Sequence, residues 1–164
     1  MNKKEIDLLV KDLGCEDMIK CLVARKTLAS AGEEAVPALV SAQQDKNSWV
    51  RWEAAKTLSQ IGGPAVIQPL IKALEDKEFG VRWVAAEGLI SLGDAAIAPV
   101  LRALISDPKS LLLRTGAHHV LQEIKKLGWQ GILKPVVKAM ESPAAAIQVH
   151  MAAQKALDEI MLQS

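Results

Sequence analysis

Apolar residues recur along this chain in steps of four, and the steps themselves recur. Val50, Ala54 and Leu58 form one set, and Val81, Ala85 and Leu89 form the next. Leu113, Ala117 and Leu121 make a third, and Val149, Ala153 and Leu157 a fourth. Positions i, i+4 and i+8 share one stripe of a helix, so each set predicts a helix buried along a seam. An earlier set reads Lys20, Ala24 and Leu28, with lysine at an otherwise apolar position. The alanine at each centre lets a neighbouring helix approach closely. Ala31, Ile61, Leu92 and Ile124 prolong four of the seams. Around the second and third sets the chain repeats itself: Asp45–Leu58 returns as Asp76–Leu89, a shift of 31 residues. Such a period marks stacked helical units, none of which buries its apolar face alone.

Glycine marks the helix ends. Gly32, Gly62 and Gly93 each follow the last seam residue, where a helix favours a left-handed C′ position. Gly128 does the same after a longer helix, and Gly14 is expected to close the first one. Asp107-Pro108 and Ser142-Pro143 read as a capping side chain before a proline at the first helical position. Shorter apolar helices are predicted between the long ones, over 6–13, 35–42, 66–74, 96–105 and 132–140. Four of them carry an early proline: Pro37, Pro69, Pro99 and Pro135. The expected architecture is all-α, with ten helices in five antiparallel pairs forming a single solenoid domain. Its divisions fall near 1–32, 33–62, 63–93, 94–128 and 129–164.

Composition agrees. Half of the residues are hydrophobic, but 3% are aromatic, and the apolar mass is Ala, Leu, Ile and Val. The net charge of +1 gives no global attraction for nucleic acid or anionic lipid. Cys15 and Cys21 have no nearby Cys or His to complete the roughly four ligands of a zinc site, so no metal is expected. No signal-peptide pattern or membrane-length apolar run is present in the sequence, which predicts a cytoplasmic address.

At this point the pattern resembles a HEAT repeat, in the short form named after phycobilisome lyases. The motif elements are Pro37, Asp45 and Val50-Arg51; Pro69, Asp76 and Val81-Arg82; and Pro99, Asp107 and Leu113-Arg114. The resemblance implies a right-handed α-α superhelix. It implies that Asp45, Arg51, Asp76, Arg82, Asp107 and Arg114 form a ladder of hydrogen bonds between repeats. It also implies that the Val-Arg helices line the concave face. The terminal units depart from the motif, with Cys21 and His150 where arginine stands elsewhere. Both units read as caps of the stack.

Stepping about 100° per residue from Val50 places Trp49, Trp52 and Lys56 well away from the seam. Phe79, Trp83 and Glu87 fall on the corresponding side of the next long helix. Four of the five aromatic residues therefore gather on one side of two adjacent helices, and outward aromatics mark binding surfaces. Leu22, Arg25 and Lys26 flank this face in the first unit. Thr115, His118, His119 and Gln122 flank it in the fourth, and Met151, Lys155 and Asp158 in the fifth. His118 and His119 point about 100° apart and do not suit one metal ion.

The sequence holds no phosphate-binding glycine loop and no nucleophile elbow. The expected function is a non-catalytic scaffold that needs no cofactor and binds a segment of another protein in the groove. The candidate contacts are Trp49, Trp52, Lys56, Phe79, Trp83, Glu87, His118 and His119. Two other readings stand beside it. The resemblance implies a bilin-lyase-like or chaperone-like subunit handling a tetrapyrrole. A nucleic-acid-binding HEAT-like protein would use Arg25, Lys26, Arg51, Lys56 and Arg82 on phosphates, against the near-zero net charge.

Overall fold

A computed structural model describes the backbone of residues 1–142 and 144–163, and the side chains of all of these but Gln163. Among the described residues ten α-helices follow one another: α1 (Lys3–Asp12), α2 (Met18–Ala31), α3 (Val36–Ala42), α4 (Ser48–Ile61), α5 (Ile67–Ala73), α6 (Phe79–Ser91), α7 (Asp94–Ser106), α8 (Leu111–Ile124), α9 (Gln130–Met140) and α10 (Ala145–Gln163). Among the described residues there is no strand. None of the described helices is long and apolar enough to cross a membrane. The chain divides into two compact units, Met1–Gly88 and Leu89–Ser164.

In the first unit, α1 packs on α2 and α3, α2 packs on α4, and α3 packs on α4. First helices thus stack on first helices, and second on second. The seams are where the periodicity puts them. Ala24, Leu28, Ala54 and Leu58 are buried, as are Val81 and Ala85. Each fully buried leucine contributes about 2 kcal/mol through removal from water. Lys20 is the exception: its ammonium stands outside the seam, 2.7 Å from Asp12, and Cys21 is buried in its place.

The helix ends follow from local chemistry. Asn2 makes a capping box with Glu5, and Asp17 and Asn47 each accept amide hydrogen bonds at the starts of α2 and α4. Gly32, Gly62, Gly93 and Gly128 all have positive φ, as their place after the seams requires. Gly14 does not share that conformation. A Cβ there would come within 2.8 Å of Val50 Cγ2, so this glycine makes room for α4 instead of turning the chain. Pro37 stands in the first turn of α3, after a 3₁₀ turn at Gly32–Ala35. Pro99 and Pro135 lie within continuous helices.

In the second unit, the proline expected to open the helix after Asp107 does not do so. Asp107 closes α7, its carboxylate accepts from the amides of Lys109 and Ser110, and Ser110 is the cap of α8. Pro108 therefore sits in the turn. Pro143, expected at the first position of α10, lies outside the described residues. The packing order also changes here. α7 packs on α8 and α8 on α9, while α10 packs on both α7 and α9. In the first unit second helix meets second helix, but here the last helix lies against the first helix of the preceding pair. His150 reaches the Ile105 carbonyl of α7 at 3.1 Å. The face expected to continue from α8 through Met151, Lys155 and Asp158 is therefore not built that way.

Candidate functional site

Two helices make the walls of an open pocket of about 710 Å³ within the first unit. One wall is α2, contributing Met18, Ile19 and Leu22; the other is α4, contributing Trp49 and Trp52. Met18 and Leu22 are four apart and so share one side of α2. Met18 and Ile19 are each 76% exposed, and Trp49 is 43% exposed. The Trp49 and Trp52 rings stack at 5.1 Å with an interplanar angle of 11°. A parallel pair of this kind gives a broad, flat apolar surface held in one orientation.

The floor of the pocket is polar and closed. Arg25 Nη1 donates to both carboxylate oxygens of Glu53, at 3.1 and 2.9 Å, and the Glu53 side chain is 3% exposed. A carboxylate that deep requires a cation, so Arg25 compensates Glu53. Cys21 lies beside them and donates to the Leu13 carbonyl at 3.3 Å. Burial, reinforced by the nearby Glu53 carboxylate, pushes its thiol up to about 11. It is a protonated packing group at neutral pH. Cys15, half-buried, donates to the Asp17 carbonyl.

The aromatic side continues onto α6. Gly80 faces Trp52, whose Cδ1 would lie 3.5 Å from an added Cβ. Eight residues on, a Cβ on Gly88 would meet Ser59 and Leu70 at 3.0 Å. α6 thus runs parallel to α4, close at both ends. Phe79 and Trp83 pair at 6.0 Å and are 66% and 47% exposed. The Arg82 guanidinium lies 5.7 Å from the Phe79 ring centre. Among the aromatics expected to face outward, Trp52 is the one half-buried, between Trp49 and α6. Lys56 is half-buried and Glu87 exposed.

His118 and His119 lie on α8, in the second unit. His118 Nε2 meets Glu141 Oε1 at 3.1 Å, so its ring is engaged with the end of α9. His150, turned to Ile105, does not join it in a metal site. Among the described residues, no group of three or more His, Cys, Asp or Glu is placed to hold a metal ion.

The motif residues lie at the turns. Arg51 donates through Nε and Nη2 to the two oxygens of Asp76, at 2.7 and 3.0 Å, and through Nη1 to the Asp45 and Lys46 carbonyls. Arg82 binds the Asp76 and Lys77 carbonyls of its own turn, and Arg114 the Pro108 carbonyl. Asp45, Asp76 and Asp107 each accept an amide two residues on. Burial raises the Asp76 carboxyl, but the Arg51 guanidinium and the Glu78 amide outweigh it and hold the group below its usual range. In the first repeat Cys21 occupies the arginine position and bonds the Leu13 carbonyl before its own turn.

Sequence reasoning placed Leu22 and Arg25 beside the aromatic face but missed Met18, Ile19 and Glu53. The four-residue spacing of Met18 and Leu22 was a usable signal. No local pattern signals that Glu53 is buried against Arg25. Trp129 was also missed; its indole donates to Asp94 at 2.6 Å and ties α9 to α7.

Known proteins give an independent comparison. The family model for HEAT repeats matches residues 6–90, and that for the PBS lyase HEAT-like repeat matches residues 81–107. Among solved structures, one similar chain is from the complex of CpcE and CpcF of phycocyanin lyase from Nostoc sp. PCC7120. It is 24% identical with a TM-score of 0.59, and the match covers 92% of this chain and 99% of that one. At that identity the likeness shows a shared fold. An engineered protein (22% identical, TM-score 0.42, covering 96% and 79%) and a designed armadillo repeat protein (19%, 0.37, covering 93% and 98%) also match. No curated protein matches in sequence.

Proposed function

The chain belongs to the HEAT-repeat family, and we propose that within it this protein is a non-catalytic binding module whose α2–α4 groove takes a helix of another protein. One observation carries the reading. The stacked Trp49–Trp52 pair faces Met18, Ile19 and Leu22 across an open hollow. Exposed apolar residues gathered in one concave place are a docking surface more than a scatter of solvated side chains. A helix suits the hollow better than an extended segment. The groove floor is closed by the Arg25–Glu53 pair, and among the described residues no sheet edge is available for strand addition. Phe79 and Trp83 extend the same apolar character onto α6.

Peptides selected from a random library on the immobilised protein test this. They are expected to carry apolar residues three and four apart. They should lose at least about tenfold in affinity for Trp49→Ala, or roughly 1.4 kcal/mol. Selected peptides that bind the variant as tightly as the parent would place the docking surface elsewhere.

A second reading is a lyase-related subunit handling a tetrapyrrole. It is supported by the PBS lyase HEAT-like match and by the apolar pocket, whose volume suits a small molecule. Titration with a free bilin should then shift its visible absorbance, and an unchanged spectrum would remove this reading. Nucleic acid is disfavoured by the arginines: Arg25 and Arg51 are spent on Glu53 and Asp76 instead of facing outward.

A further inference from the structure

The reading of the α2–α4 groove as a helix-binding surface has a deeper form, because the chain itself carries a helix face that fits the groove. Toward α7 and α9, α10 buries Val149, Ala153 and Ala156. Its other side mixes apolar and polar residues. Ile147 is 71% exposed, and Met151 and Met161 are each 66% exposed. Steps of three and four along the helix put Gln154, Lys155 and Asp158 on the same stripe. α10 thus turns three large apolar side chains outward among polar ones, and the α2–α4 groove is lined by exposed Met18, Ile19, Leu22 and Trp49.

We propose that the α2–α4 groove takes α10 of a second copy of this chain, head to tail. Length and charge both fit. Ile147 to Met151 spans about 6 Å of helix, as does Met18 to Leu22, and Glu16 lies just before α2 begins. With the two helices antiparallel, Ile147 lies beside Leu22, Met151 meets Met18 and Trp49, and Lys155 reaches Glu16. Lys155 is 79% exposed, and its own helix offers it Glu159 only at 3.9 Å. Glu16 is exposed at the mouth of the pocket. Arg25 and Glu53 neutralise one another, so the acidic Glu16 selects a cation at that end. The two surfaces differ, so the contact is heterologous: every copy offers one groove and one α10, and assembly proceeds beyond a symmetric pair unless a ring closes.

A charge reversal tests the proposal by sedimentation and light scattering on the full chain. The variants are Glu16→Lys, Lys155→Glu and the two together; both side chains are exposed, and circular dichroism checks that each variant is folded. The mass of the parent should rise above the 17.7 kDa of one chain as concentration increases. Each single variant should associate about tenfold more weakly, and the double variant should return to parental association. A parent that stays single at every concentration overturns the proposal, as does a double variant no stronger than the singles. A symmetric dimer indifferent to both changes overturns it too. These results leave the groove's affinity for another protein's helix standing, because the peptide selection tests that separately.

Discussion

Arg51 clasps Asp76 through two nitrogens while its third binds the carbonyls of its own turn, so one side chain ties two successive helix–helix turns together. Both partners are largely buried, at 6% and 10% side-chain exposure. Removing one strands the other, which costs on the order of 3 kcal/mol in such settings.

That tie has a pH dependence. Asp76 is held below its usual carboxyl range in the folded chain. Its contribution is therefore complete above about pH 4, the ordinary aspartate value, and is lost as pH falls through the lower folded value. Asp76→Asn should destabilise strongly at pH 7 and much less near pH 2, measured by urea unfolding at both. Equal losses at the two pH values would contradict the pairing.

Gly14 and Gly32 should respond to alanine for different reasons. Gly14→Ala drives a methyl into Val50, an overpacking cost of about 1–3 kcal/mol. Val50→Ala, added to it, should recover part of the loss. Gly32→Ala strains a backbone at φ 63 with nothing nearby, so no neighbouring truncation should rescue it. Thermal unfolding of the three variants reads the difference.

Cys15 should react with iodoacetamide well before Cys21. The Cys21 thiol, raised to about 11, is ionised to roughly one part in a thousand at pH 8 and is buried as well. Mass spectrometry over time should show one rapid adduct per chain. Two adducts at similar rates would mean that the α2 seam is open.

What the sequence announced, and what it concealed, divide by the range of the interaction. The seams through Ala54 and Ala85 and the glycines at 62 and 93 obey rules acting over four or five residues, so they could be read directly. The outward Trp49 and Trp83 followed from the same helical stepping. Gly14 looked like another helix terminator because its reason, Val50, lies 36 positions away in sequence. Lys20 fell on the seam by counting, but Asp12 draws its ammonium outward. The Arg25–Glu53 floor and the Trp129–Asp94 tie join separate helices and leave no periodic trace. The packing of α10 on α7 depends on how the last hairpin turns, which apolar periodicity does not encode.

The two stacked tryptophans should differ in stability cost. Trp49→Ala loses a half-exposed ring and its stacking, about 1 kcal/mol. Trp52→Ala opens a gap against Gly80 and α6, on the order of 3 kcal/mol. Denaturant midpoints check the order, and a larger loss for Trp49→Ala would reverse the assignment of which ring is structural.

The indole N–H signals of the four tryptophans in a nitrogen-15 spectrum give the most direct reading of the groove. On titration with a library-selected peptide, the Trp49 and Trp52 signals should move together and saturate at one equivalent. Trp129, whose indole is bound to Asp94 of α7, should stay in place. A titration that shifts Trp129 and leaves Trp49 unmoved would contradict the α2–α4 groove as the place where this protein holds its partner.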